Sequence, residues 1–284
     1  MAQQAIGRVQ WGDLTFGPGT PYSVTAVEGL DDLPDIRSED VERPGQHGDY
    51  TGPDYTGARI VQLKLGVRGS SPDDLRFLTL ALRAATQPQR QPQPLQFLDQ
   101  DTLVWAKVRK RSIPYDAEYL WRLGDAALEF YCADPYLYGL EEQSASATAY
   151  SPSAGRTYAM TYPRQYGSAG SSGRISAYNG GAAAAYPVLR LDGPVANPAI
   201  EHVNGGGILT LDATLQAGEY LIIDTRTRAV LLMGSSPRRT WVRAGSVWPV
   251  LQPGSNEIAY RGSALPGALG QQSLLTVSWR DTSL

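Results

Sequence analysis

One cysteine in 284 residues, Cys132, leaves the chain no intrachain disulfide and no thiolate zinc cluster. Set in the apolar run LEFYC, it reads as a buried, inert thiol. Histidine is nearly as scarce: His47 and His202 stand far apart with no H-x-x-x-H spacing, so both read as ordinary surface or loop residues rather than zinc ligands. No apolar run approaches the ~20 residues that span a bilayer. The opening MAQQAIGRVQW lacks a basic stretch followed by an apolar one, so a soluble chain made in a cytoplasm, without a secretory signal, is expected. Lysine occurs only at 64, 107 and 110; the other basic residues are arginines, the side chain suited to fixed bidentate contacts. A net charge of -3 gives no basic field for a general nucleic-acid binder.

Catalytic signatures are missing too. The chain has no G-x-S-x-G elbow and no G-x-x-x-x-G-K-[ST] phosphate loop. The acidic cluster Asp31, Asp32, Asp35, Glu39 and Asp40 lacks the alternating ligands and central glycine of a calcium loop. Glu201, Asp212, Glu219, Asp224 and Glu257, the carboxylates a glycosidase in the second half would need, all read as turn or strand-end residues. The expectation is a non-enzymatic protein with no catalytic residues, no cofactor and no metal.

What is present is organised around residues 29–69. Val61, Leu63, Leu65 and Val67 alternate with Gln62, Lys64, Gly66 and Arg68, the pattern of a half-buried strand. Ahead of it, glycines and prolines break the chain about every four residues, and eight carboxylates between Gly29 and Asp54 face only Arg37 and Arg43. This predicts a long, turn-rich acidic loop that cannot form its own core and is either solvated or docked on a neighbour.

Before the loop, Val9 and Trp11, then Leu14 and Phe16, flank Gly12-Asp13 as a tight hairpin, and a third strand runs from Tyr22. After the Leu63 strand comes one helix, Ser71 to about Ala85, with Ser71 as cap, Pro72 in the first turn, Asp73 and Asp74 at the positive end of the dipole, and an apolar stripe of Leu75, Leu78, Leu82 and Ala85. A hairpin across 99–101 follows, with Lys107, Arg109, Lys110 and Arg111 clustered near its end as a solvated strand end or the partner of an acidic loop. A further strand ends at ADPYLYG, where the first domain, 1–139, is expected to stop.

Residues 1–140 carry a net charge of -5 and 141–284 a net charge of +2, so the halves differ in kind. Residues 141–185, rich in Ser, Ala, Gly and Tyr, read as linker with weak edge strands. Beyond them, short strands separated by turn signals about every ten residues suggest a β-sandwich, giving a second domain over 140–284. Trp241 and Trp248, with Arg243 nearby, are the candidate glycan contact, although tryptophans in strands are more often core.

The run GLDDLPDIRSEDVERPGQHGDYTGPDYTGARIVQLKLGVRG resembles the N-terminal domain of siphophage distal tail proteins. FYCADPYLYG, NGGAAAAYPVLRLDGPVANPAI, GEYLIIDTRTRAVLLMG and LTVSWRD are similar to later parts of that family, in order. The resemblance implies a mainly β protein of two domains: an N-terminal β-sandwich or split-barrel-like domain with one α-helix, and a C-terminal galectin-like, jelly-roll-type β-sandwich. It implies a structural virion protein at the distal end of the tail, a homohexameric ring joining the tail tube protein to the tail-associated hub protein, with receptor-binding proteins as further partners. No membrane insertion and no sequence-specific nucleic-acid contact are implied. By physical analogy, Asp31, Asp32, Asp35, Glu39 and Asp40 would face Lys107, Arg109, Lys110 and Arg111 of a neighbouring copy. The alternative is a carbohydrate-binding tail module that contacts the host envelope through Trp241, Trp248 and Arg243. No galectin-type His-x-Asn-x-Arg run is present to support it.

Overall fold

The computed structural model describes residues 7–114, 122–151, 170–265 and 272–284. They fall into two compact units, Met1–Leu140 with Leu284, and Glu141–Ser283.

The first unit contains β1 (Val9–Trp11), β2 (Leu14–Phe16), β3 (Tyr22–Glu28), β4 (Ile36–Ser38), β5 (Val41–Glu42), β6 (Asp49–Tyr50), β7 (Asp54–Thr56), β8 (Arg59–Arg68), helix α1 (Pro72–Ala85), β9 (Gln93–Phe97), β10 (Thr102–Ser112), β11 (Arg122–Cys132) and β12 (Leu137–Gly139). An antiparallel sheet runs β2-β1-β9-β10-β11-β8-β3. Between β11 and the edge strand β3 lies β8, and the alternation in its sequence is also its burial: Val61, Leu63, Leu65 and Val67 are buried, and Ile60, Gln62, Lys64 and Arg68 are exposed. Eleven residues long, β10 serves two halves of the sheet. Residues 102–106 pair with β9, residues 107–112 pair with β11, and a bulge lies between Val108 and Lys110. A bulge bends its strand and increases the local twist. The sheet curls until its ends meet: Gly17 N–H donates to the Tyr22 carbonyl (2.7 Å), and the Phe16 and Tyr22 rings pack edge to face at 5.7 Å.

Helix α1 lies against this core through Leu75, Thr79 and Leu82. The Ser71 hydroxyl accepts from Asp74 N–H (3.2 Å), and the Asp74 carboxylate reaches back to Ser70 N–H (2.7 Å) and the Ser70 hydroxyl (2.8 Å). Together these caps satisfy donors that the first turn would otherwise leave open. Those two Ser70 bonds hold the Asp74 carboxyl below the usual aspartate value. The last carbonyls are met as well: Ala85 accepts from the Trp11 indole (3.0 Å), Leu82 from Thr86, and Arg83 from the Arg111 guanidinium (2.9 Å).

Residues 30–57, expected as an irregular loop, form a hairpin arm instead. Its ladders are β4 with β7 and β5 with β6, and its tip is closed by Arg43 N–H bonding to the Gly48 carbonyl (3.2 Å). Each ladder is two or three residues long, so the spacing of glycines and prolines hides them; backbone pairing needs no apolar alternation. Close approach replaces packing here: a Cβ at Gly52 would sit 2.2 Å from the Glu39 carbonyl oxygen.

The second unit contains β13 (Gln143–Thr148), β14 (Arg174–Asn179), β15 (Val188–Asp192), β16 (Val195–His202), β17 (Gly207–Thr210), β18 (Thr214–Leu215), β19 (Tyr220–Asp224), β20 (Ala229–Leu232), β21 (Ser236–Pro237), β22 (Gly254–Ser263) and β23 (Leu274–Trp279). One sheet runs β13-β23-β15-β19-β20-β21 and the other β14-β22-β16-β17, with β18 on β16; inward residues of both form one core, the arrangement of a β-sandwich. Within the segment expected as linker with weak edge strands, two edge strands form. Over 143–148 the chain pairs with β23 in unbroken register, and over 174–179 with β22, each at the edge of its sheet. Small residues alternating across a sheet resemble linker composition, yet Ala145 and Ala147 pack on the core. The portion over 152–169 lies outside the described residues.

Candidate functional site

The base of the arm is fixed by a residue that sequence reading passed over. Arg59, the first residue of β8, is 1% exposed. It donates from Nε to the Pro135 carbonyl (2.8 Å) and from Nη1 to the carbonyls of Leu30 (2.5 Å), Asp32 (2.6 Å) and Gly29 (3.2 Å). Burial lowers its pKa from the ordinary arginine value, and the Cys132 thiol, Asp31 and Asp32 pull the other way. A guanidinium keeps its proton regardless, so four carbonyls are gathered around a fixed positive charge where the chain leaves β3 for the arm. Gly29 takes a positive φ (+81°), and a Cβ there would sit 2.0 Å from the Ile60 carbonyl oxygen, so only glycine fits this crossing. Burial pushes the neighbouring Cys132 thiol up to about 12, in keeping with an inert role.

The five acidic candidates sit along this base and the arm, but they are not equivalent. Asp32 accepts from Gly29 N–H (3.2 Å), and Asp40 accepts from Gly52 N–H (2.8 Å) across the hairpin, so both shape the arm. Asp31, Asp35 and Glu39 are exposed. The arm also exposes apolar surface: Leu33, Ile36, Val41, Tyr50 and Tyr55 are each more than half exposed.

The basic candidates divide similarly. Lys107 donates to the Arg90 carbonyl (2.5 Å) between α1 and β9, and Arg111 reaches the Arg83 carbonyl and the Thr86 hydroxyl (2.8 Å), which ties Arg111 to the C-terminal end of α1. There a cation also complements the helix dipole. Arg109 sits at the β10 bulge and stacks over the Tyr131 ring at 4.3 Å. Lys110 faces Glu129 across the ladder and borders a shallow pocket of about 160 Å³ with Gln62, Ser112 and Leu128.

In the second unit, Trp241 and Trp248 are partly buried and pack on the core. Arg238 lies over the Trp241 ring (5.5 Å) and Arg239 over the Trp248 ring (4.8 Å), so each indole already has a cation on one face. Arg243 is paired with Asp212. The other candidate carboxylates of this half have structural partners: Glu201 with Arg261, Glu257 with Arg174, Glu219 with Gln216 N–H, and Asp224 with the N–H groups of Arg226 and Thr227. His47 is exposed, whereas His202 is not the surface residue expected. It is 4% exposed on β16 and shares a hydrogen bond with Asn256 (3.1 Å). The Asn256 amide nitrogen donates to the carbonyls of Gln252 (2.7 Å) and Gly254 (2.9 Å), and its oxygen accepts from Gln252 N–H (2.8 Å). That fixes the oxygen toward His202, so Nε2 is the donor. Among the described residues, no three His, Cys, Asp or Glu side chains gather as a metal site would require.

Comparison with known proteins agrees with this two-part layout. Residues 18–132 match the phage tail protein RIFT-related domain, and residues 180–271 match the C-terminal domain of the siphovirus-type tail component. No curated protein matches the chain. Among solved structures, the SPP1 Dit protein, described as a paradigm of the hub adsorption apparatus in phages infecting Gram-positive hosts, is 15% identical with a TM-score of 0.64, over 93% of this chain and 94% of that one. A chain of the phage P2 baseplate in its activated conformation with Ca is 10% identical with a TM-score of 0.50, over 95% and 96%. At such identities the likeness is one of fold, spanning both units. With tail-protein domains matched in both halves and in the same order, the chain belongs to the siphophage distal tail protein family, structural components of the phage tail.

Proposed function

We propose that this chain is the hub of the tail tip: copies close into a ring, six in number, that joins the tail tube to the host-adsorption apparatus at the distal end of the virion tail. The observation that carries the reading is the pairing of a tail-protein domain over 18–132 with a tail-component C-terminal domain over 180–271. The arm adds physical support, because a hairpin without a core, carrying exposed apolar residues and unbalanced acid, is built to be covered. In this reading residues 1–139 make the ring, and 140–284 form the peripheral sandwich. The tail tube protein, the tail-associated hub protein and receptor-binding proteins are the partners.

Electrostatic pairing between copies is part of the proposal. Asp31, Asp35 and Glu39 of one copy, with the better-anchored Asp32 and Asp40, face the basic group of Lys107, Arg109, Lys110 and Arg111 on the next. Exposed pairs each contribute only ~0–1 kcal/mol, so they set orientation and approach more than affinity. Light scattering of the purified chain is expected to give six times the 30.7 kDa monomer mass, and antibody labelling is expected to mark the tail tip. Particles that lack this polypeptide yet carry complete, infectious tails would overturn the reading.

A further inference from the structure

Helix α1 has two apolar faces and only one is covered. Leu75, Thr79 and Leu82 face the core, while Phe77 is 70% exposed and Leu80 54% exposed on the opposite side. Arg76 and Arg83 flank Leu80 at i−4 and i+3, on one side of the outward stripe, and Asp73 stands at i−4 from Phe77 at its N-terminal end. At the C-terminal end of the stripe, Arg111 bonds to the Arg83 carbonyl, which brings one strand cation alongside the helix. The result is an apolar centre with a rim that is basic beside Leu80 and toward the C-terminal end of the helix, with Asp73 at the N-terminal end.

The arm carries the complement. Its strands pair only with one another among the described residues, and it exposes Leu33, Ile36, Val41, Tyr50 and Tyr55 amid eight carboxylates and two arginines. That gives an apolar centre with an acidic rim. Interfaces are built this way, with apolar anchors excluding water and charges of opposite sign setting register. Both surfaces occur once per chain and neither covers itself, the condition for a head-to-tail contact that repeats around a closed ring.

We infer that the arm of one copy docks on the outward face of α1 of the next, with Phe77 and Leu80 as the apolar anchor and Arg76, Arg83 and Arg111 as the rim. This rests on the ring reading above and names the contact that closes the ring. The occupant is a second copy of this chain, not a different tail protein, because the charge and apolar pattern that fits the helix is present on the same polypeptide.

Two measurements on the full chain test it. Phe77→Asp is a surface change, so the monomer's Tm is expected to stay within about 2 °C of wild type, while self-association weakens at least tenfold by light scattering. In a Cys132→Ala background, a Val41→Cys chain mixed with a Leu80→Cys chain is expected to form an intermolecular disulfide between the two, at several times the yield of a Leu80→Cys chain mixed with a Thr214→Cys chain. A wild-type oligomer indifferent to Phe77→Asp, or a mixture without enriched cross-linking, overturns this contact and leaves the ring reading standing. A wild-type chain that stays monomeric up to millimolar concentration removes both. Loss of association with no arm-to-helix cross-link assigns the face to another occupant and also overturns the inference.

Discussion

Replacing Arg59 by methionine keeps most of the apolar stem and removes the guanidinium that collects four carbonyls at the base of the arm. The bond to Leu30 is buried, and the bonds to Pro135, Gly29 and Asp32 are partly buried. A buried carbonyl left without its donor costs ~1–3 kcal/mol, and partly buried ones recover much of that from water. Taking ~2 kcal/mol for the first and ~0.7 kcal/mol for each of the others gives about 4 kcal/mol. For a unit of this size 1 kcal/mol moves the melting temperature by about 3 °C, so a fall of about 12 °C is expected. Differential scanning calorimetry of the full chain reads it, and the transition of the second unit is expected to stay in place. Arg59→Lys is expected to lose about half as much, since one ammonium keeps the charge but cannot reach Pro135 and Leu30 together. A fall of less than about 3 °C for Arg59→Met would refute the reasoning, because solvent would then be satisfying all four carbonyls unaided.

Asp74 is held below its ordinary value of 3.8 by Ser70, so its contribution is fully present above that value and is lost as pH falls through the lowered one. Asp74→Asn is therefore expected to lower the Tm of the first unit at pH 7, with the difference from wild type shrinking as the solution is acidified. In the second unit, Asn256→Ala strands the Gln252 N–H and the carbonyls of Gln252 and Gly254 and leaves buried His202 without its acceptor; urea unfolding is expected to show a loss of about 3 kcal/mol. Cys132, with its thiol pushed up to about 12, is expected to resist iodoacetamide at pH 8 in the folded chain and to alkylate at once in denaturant, read by intact mass.

Where a feature is written in side chains, it was legible in the sequence. The alternation from Val61 to Val67 gave the burial of β8, Ser71-Pro72 gave the start of α1, and Gly12-Asp13 gave the turn between β1 and β2. Features held by main-chain groups stayed hidden. Arg59 looks like any arginine at a strand start, since nothing in the sequence says that four carbonyls converge on it. The arm hairpin has no apolar period because it has no core. His202 is buried only because Asn256, 54 residues away, turns its amide oxygen inward. Among the site candidates, spacing placed the acidic and basic groups on exposed elements, but did not show the bond of Lys107 to the Arg90 carbonyl or the commitment of Arg111 to the end of α1. The exposed Phe77 and Leu80 belong to a stripe offset from the Leu75, Leu78, Leu82 and Ala85 row, and a single-stripe reading of the helix passes them by.

The ladder between β1 and β9 joins Val9 to Phe97. During synthesis at ~5–20 residues per second, β1 leaves the ribosome roughly 4–18 s before β9 does. Through that interval Val9 and Trp11, each 1% exposed in the finished protein, have only the three-residue β2 beside them. The nascent chain thus carries an open, apolar strand edge until β9 emerges, a window in which a holdase chaperone would raise the yield of folded protein.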